Sequence, residues 1–172
     1  MVYLIIVLAV LERFVPHVMN FSPVYGALLF GGTHLNKRDS IWFPAAVLGL
    51  SDVILTKLVY HMGVGWTELV QLAAFAVIAL IGWSLRGRFT IARLTFACFA
   101  GSTTFYLVSN FGVWLGFGMY PPTWNGLIQC YVAGIPFYGR SLTSTFVFAG
   151  LLFGIYEFCH RRGDHRIEAH TN

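Results

Sequence analysis

The chain has 172 residues, 57 % of them hydrophobic and only 10 % charged, with a mean hydropathy of +0.69; soluble domains carry about one-quarter charged residues, so a water-soluble globular protein is excluded. The net charge of +4 does not point to nucleic acid, because the lysines and arginines punctuate apolar runs instead of gathering in one patch. They read as topology signals. Cys98, Cys130 and Cys159 have neither a CxxC spacing nor a pairing pattern, so neither a disulfide framework nor a zinc site is expected.

Residues 2–11 form the first apolar segment. It lacks the basic stretch and small-residue cleavage site of a secretion signal and is read as a membrane helix, carrying Glu12 and Arg13 near its far end. Pro16, Asn20 and Pro23 break the chain, and 24–34 is a second helix, short for a span, ended by the polar run 36–40. The third helix, 41–60, is full length, with Pro44 in its first turn, where a missing amide is tolerated. After a turn at 61–65, helices at 66–85 and 90–110 are joined by Arg86-Gly87-Arg88.

The stretch 111–140 is rich in glycine, proline and aromatics, and its one helical run, 124–138, is interrupted near Pro136. This predicts a lid or re-entrant element. The last span is 141–159. Lys37, Arg38, Arg86, Arg88, Arg93, Arg161, Arg162 and Arg166 share one side if six segments span, with Arg13 and Arg140 as the exceptions, and the excess of basic residues marks that side as cytoplasmic. The expected fold is an all-α polytopic membrane helix bundle of about six spans plus a re-entrant or short outer-face helix. One transmembrane domain covers 1–160, both termini are cytoplasmic, and 161–172 is a polar cytoplasmic tail.

Asp52 falls near the middle of the third helix, where an ionised carboxylate is costly unless paired or hydrated. It is expected inside the bundle, either contacting a ligand or cation or partnering Arg13, Asn20 or Asn110. Lys57 sits about 140° further round the helix and is expected to snorkel outward. On the fifth helix Thr95, Ser102, Tyr106 and Ser109 form a polar stripe with Thr103 and Asn110 alongside, most of it read as interhelical hydrogen bonding. Tyr106 and Asn110, at the outer end, join Trp114, Tyr120, Asn125 and Gln129 of the lid as the candidate ligand-binding set. Flat rings with a few neutral donors and acceptors describe a small-molecule site, although rings there also fit an interfacial aromatic belt. Their neutrality implies a neutral, aromatic or heterocyclic ligand.

Small-xxx-small pairs recur, among them Ser22/Gly26, Ala97/Gly101, Cys130/Gly134 and Gly150/Gly154; Gly150 and Gly154 are the pair expected to face a partner. The six histidines form no metal-binding spacing. Haem or chlorophyll ligation by His17, His34 or His61 is left open, and no cofactor is assigned. No nucleophile elbow, phosphate loop or close carboxylate pair occurs, so an enzyme is not expected.

The residues Asn20-Phe21-Ser22-Pro23, Phe30-Gly31-Gly32, Asp52, Asn110-Phe111-Gly112-Val113-Trp114, Tyr120-Pro121, Gly126-Leu127, Cys130-Tyr131 and Ile135-Pro136-Phe137 resemble the signature of an uncharacterised bacterial family of small multipass membrane proteins, over nearly the whole chain. More distantly, six helices with a short early pair and an outer-face loop resemble the substrate-binding subunits of energy-coupling-factor vitamin transporters, an analogy of layout alone. That likeness implies a bacterial inner membrane, a ligand near the outer surface and partner subunits met through an Ala-xxx-Ala pair on the first helix. Here Ala9 stands between Ile5 and Arg13 at the spaced positions, a departure from that pattern. Two readings follow: a substrate-binding or transporter-like subunit in the lipid bilayer, or a structural subunit of a larger membrane complex holding lipid, pigment or another chain. A third, a membrane enzyme acting on lipid, rests on Asp52 alone.

Overall fold

The computed structural model describes residues 2–15, 21–59, 61 and 65–170. His17 and Asn20 lie outside the described residues. Among those described every regular element is a helix: α1 (Val2–Leu11), continued by a 3-10 turn at Glu12–Phe14, α2 (Val24–His34), α3 (Asp39–Ile54), continued by a π-helical turn at Leu55–Val59, α4 (Trp66–Trp83), α5 (Ile91–Gly116) and α6 (Trp124–His170). Three stretches, Asp39–Leu58, Ile91–Gly116 and Trp124–Cys159, are long and apolar enough to cross a membrane. By contrast α1 and α2, with 10 and 11 residues, reach only about 15–17 Å.

Short as it is, α2 is the centre of the bundle, with every residue from Val24 to Gly32 buried. Its composition explains this: two glycines let it approach its neighbours backbone to backbone, which is how helices associate without a hydrophobic drive. A Cβ on Gly32 would stand 2.2 Å from the Ala79 carbonyl oxygen, and one on Gly82 would stand 2.5 Å from that of Leu29, so α2 and α4 cross at two glycines. Gly26 meets the Ala149 amide on the other flank, at 2.8 Å from the same imagined atom. Phe30 fills the space between, edge-on to Phe153 and Tyr156, within a core that includes Leu28, Leu29, Leu48 and Ile78.

Two expected boundaries move. Helix five does not end at Asn110 but runs to Gly116, and the separate re-entrant element at 124–138 is absent, because one helix passes from Trp124 through Pro136 without a break and on beyond 160. Proline removes one backbone donor and crowds one carbonyl, which bends a helix but need not end it when neighbours hold both halves. Here both halves are held by α5. Tyr131 donates to the Leu107 carbonyl at 2.9 Å, Thr103 and Tyr138 share a hydroxyl hydrogen bond at 2.9 Å, and the buried Ser102 donates to Thr145 at 2.9 Å. Pro136 itself is exposed.

The exterior is apolar, with Leu4, Leu50, Leu69, Ile91, Phe96 and Ile128 among many large side chains left exposed. In water this surface would aggregate; against acyl chains it is the expected one.

Candidate functional site

Because α2 is short, it fills only the half of the bundle nearest the α4–α5 turn. At the opposite end, beside the last two turns of α5, lies a cavity of about 250 Å³ lined by Arg13, Asp52, Leu55, Thr56, Glu68, Val70, Gln71, Ser109, Gly112, Val113 and Phe117. The 3-10 turn after α1 brings Arg13 there, and the π-helical turn supplies Leu55 and Thr56. Such turns are frequent at functional positions because they re-aim side chains out of the regular helical register.

The charged pair at its edge is closely built. Arg13 Nη2 donates to Asp52 Oδ1 at 2.5 Å while Nη1 donates to Ser51 Oγ at 2.7 Å, and Ser51 in turn donates to the Leu48 carbonyl at 2.8 Å. Asp52 is 5 % exposed. Its second oxygen, Oδ2, is buried with no hydrogen-bond partner. That is unusual, since a buried polar atom left unsatisfied costs about 1–3 kcal/mol and more when charged. On the far wall Glu68 accepts from the Gly65 amide at 2.8 Å and so is fixed at the start of α4.

Of the residues singled out in the sequence, Arg13 and Asp52 meet each other, whereas the predicted aromatic-amide set does not converge. Tyr106 and Asn110 line a neighbouring cavity of about 230 Å³ with Phe105, Ser109, Gly134, Phe137, Tyr138 and Ser141. Their donors are engaged with backbone: Tyr106 Oη donates to the Tyr131 carbonyl at 2.6 Å, and Asn110 Nδ2 donates to that of Tyr106 at 2.8 Å. Trp114 Nε1 closes the α5–α6 turn by donating to the Pro121 carbonyl at 3.0 Å. Tyr120 is half-buried, and Asn125 and Gln129 are exposed on α6. Ser109 lines both cavities. Glu68, Gln71, Thr56 and Ser109 escaped the sequence reading as lining residues; the available signal was two polar positions three apart in the first turns of the fourth helix.

A larger cavity, about 700 Å³, lies at the basic end among His34, Asn36, Lys37, Arg86, Phe89, Phe153, Tyr156 and Glu157. Its cations have structural work. Arg86 caps the carboxyl end of α2, donating to the Gly32 carbonyl at 2.8 Å and to that of Leu35 at 2.7 Å, and both Arg86 and Lys37 lie over the Trp83 ring. Burial depresses the basicity of that guanidinium. His34 Nδ1 is 3.0 Å from the Phe30 carbonyl, and its ring packs against Phe30, Phe153 and Tyr156, while His61 is exposed. Among the described residues no three His, Cys, Asp or Glu side chains group as a metal site, and Cys98, Cys130 and Cys159 are free thiols.

Spanning-length helices, an apolar exterior and a mixed cavity with a charged pair at its edge define a helical membrane protein. The chain belongs to DUF6580, a family of unknown function whose profile matches residues 1–166. No curated protein and no solved structure matches it.

Proposed function

We propose that this protein is a multi-span, non-catalytic membrane subunit that captures a small aromatic or heterocyclic compound at the outer face, in the cavity beside Arg13 and Asp52. The observation that carries the reading is the buried, partnerless Oδ2 of Asp52, a residue that lines that cavity. Lining side chains such as Leu55, Val70, Val113 and Phe117 offer contact area, and Gln71, Thr56 and Ser109 offer directional polar groups, the usual mixture of a small-molecule site.

Orientation follows from charge. Lys37, Arg38, Arg86 and Arg88 flank the turns at one end, which by the positive-inside rule is cytoplasmic; the cavity is then at the outer end of a bacterial inner membrane. Six segments running alternately through the bundle place both termini inside.

The test is mass spectrometry of small molecules retained by protein purified from its native membrane. The wild type is expected to carry a compound that the Arg13→Met/Asp52→Leu variant, folded and equally abundant, does not. Identical retained profiles would overturn the reading.

Assembly into a larger complex is a second reading, favoured by one face of α6. There a Cβ on Gly139, Gly150 or Gly154 would meet nothing within 4 Å, and Arg140 is exposed, level with Thr103 near the midpoint of α5. A guanidinium at that depth is expensive against lipid. A neighbouring membrane helix bearing a carboxylate would satisfy it, and under this reading Arg140→Leu strips a co-purifying chain.

A further inference from the structure

Resting on the reading that the Arg13–Asp52 cavity binds a small molecule, we infer that its ligand is a small organic cation, a protonated amine or nitrogen heterocycle whose N–H donates to Asp52 Oδ2. This departs from the neutral ligand expected from the sequence, and the reason lies in which donors and acceptors are already spent.

Arg13 commits two of its five N–H donors inside the protein, one to Asp52 Oδ1 and one to Ser51 Oγ, and its charge is met by the Asp52 carboxylate. The acceptor left over is on the carboxylate. Oδ2 is buried and without a partner, and the lone pairs of an ionised carboxylate accept but cannot donate. Protonating it does not remove the deficit, because the new hydroxyl would then lack an acceptor. Only a donor brought from outside the side-chain set completes the site. A donor that reaches this oxygen removes the deficit, and a charged N–H donor makes the stronger, charge-assisted bond.

The wider lining points the same way. Two carboxylates, Asp52 and Glu68, and one guanidinium line the cavity, so its walls favour a positive guest over a negative one, and the low dielectric of a membrane interior magnifies that preference. Phe117 also lines the cavity, and an aromatic ring attracts a cation. The volume, about 250 Å³, admits a single ring with a short arm and excludes large polycyclic compounds.

Benzylammonium, benzyl alcohol and benzoate are near-isosteres that differ in charge and donor strength. Titrating each at millimolar concentration into full-length protein in lipid nanodiscs, and reading saturable binding by calorimetry, tests the assignment. Benzylammonium is expected to bind at least tenfold more tightly than benzyl alcohol, benzoate is expected not to bind, and Asp52→Asn is expected to reduce the benzylammonium affinity at least tenfold. Because Asp52→Asn leaves Arg13 without its counter-charge, its helix signal and melting are compared with the wild type, and Gly150→Ala, outside the cavity and with nothing within 4 Å of the added methyl, serves as the control that should retain the preference for the cation. If benzyl alcohol binds as tightly as benzylammonium and Asp52→Asn changes nothing, the cation assignment falls while the binding site stands. If none of the three binds the wild type, both fall.

Discussion

Arg13 and Asp52 show how a single pair can be read from sequence and still be misjudged. An acid in mid-helix and a base at the end of a short apolar segment are both expensive in a bilayer, which is why each was expected to face inward and why Arg13 stood among the partners considered for Asp52. The hydrogen bonds found bear that pairing out. What the sequence did not reveal is that one oxygen remains over. That depends on Arg13 dividing its donors between Ser51 Oγ and a single oxygen of Asp52, a detail no spacing rule encodes. The energetic consequence is directional: Arg13→Met leaves a buried carboxylate unpaired and should lower stability by about 3–5 kcal/mol, whereas Arg13→Met/Asp52→Leu, replacing the pair with apolar groups, should recover most of that loss. Denaturation in detergent micelles with a far-ultraviolet helix signal measures both. A double variant less stable than the single one would contradict this account of the pair.

At the scale of elements, apolar runs and basic turns located the first five helices, since in lipid backbone groups are satisfied internally and helices are the natural solution, whereas the sixth was expected as a lid run at 124–138 and a separate span at 141–159. Boundaries were harder where glycine and proline crowd together. Residues 111–140 looked like a lid because Gly112, Gly116, Pro121, Pro122 and Pro136 all discourage helix in isolation. In the folded bundle Gly112 gives Val70 of α4 room, with a Cβ there only 3.2 Å from that side chain, and Gly134 does the same for Asn110. Tertiary contact overrides local propensity, and only Pro121 and Pro122 mark the real turn. The aromatic-amide constellation lost its meaning with the lid, because a continuous helix points Asn125 and Gln129 outward.

The glycines that matter most are those between elements. Gly82→Ala would drive a methyl into the Leu29 carbonyl at the crossing of α2 and α4, and overpacking of this kind costs about 1–3 kcal/mol or more. Gly150→Ala, with nothing near, should change the stability of the isolated protein by no more than about 0.5 kcal/mol. Thermal melts of the two variants in one detergent decide this, and equal effects would mean that the α2–α4 crossing is not as tight as described.

For the whole molecule, the proposed alternation of six segments is a topology that labelling can check. With Cys159, the exposed native thiol, replaced by serine, a membrane-impermeant maleimide should reach Phe117→Cys from outside the cell and Arg88→Cys only after permeabilisation. Reaction of both from one side would remove the outer-face placement of the cavity. The central claim is narrower than topology: a half-length α2 leaves space that a small molecule fills against Asp52. A high-resolution electron cryo-microscopy map of the protein taken directly from its native membrane tests it most directly. The account predicts density of small-molecule size in the cavity, with an atom within hydrogen-bond distance of Asp52 Oδ2 and the Arg13–Asp52 pair intact. A cavity closed by the protein's own side chains, with Oδ2 bonded to one of them, would contradict it.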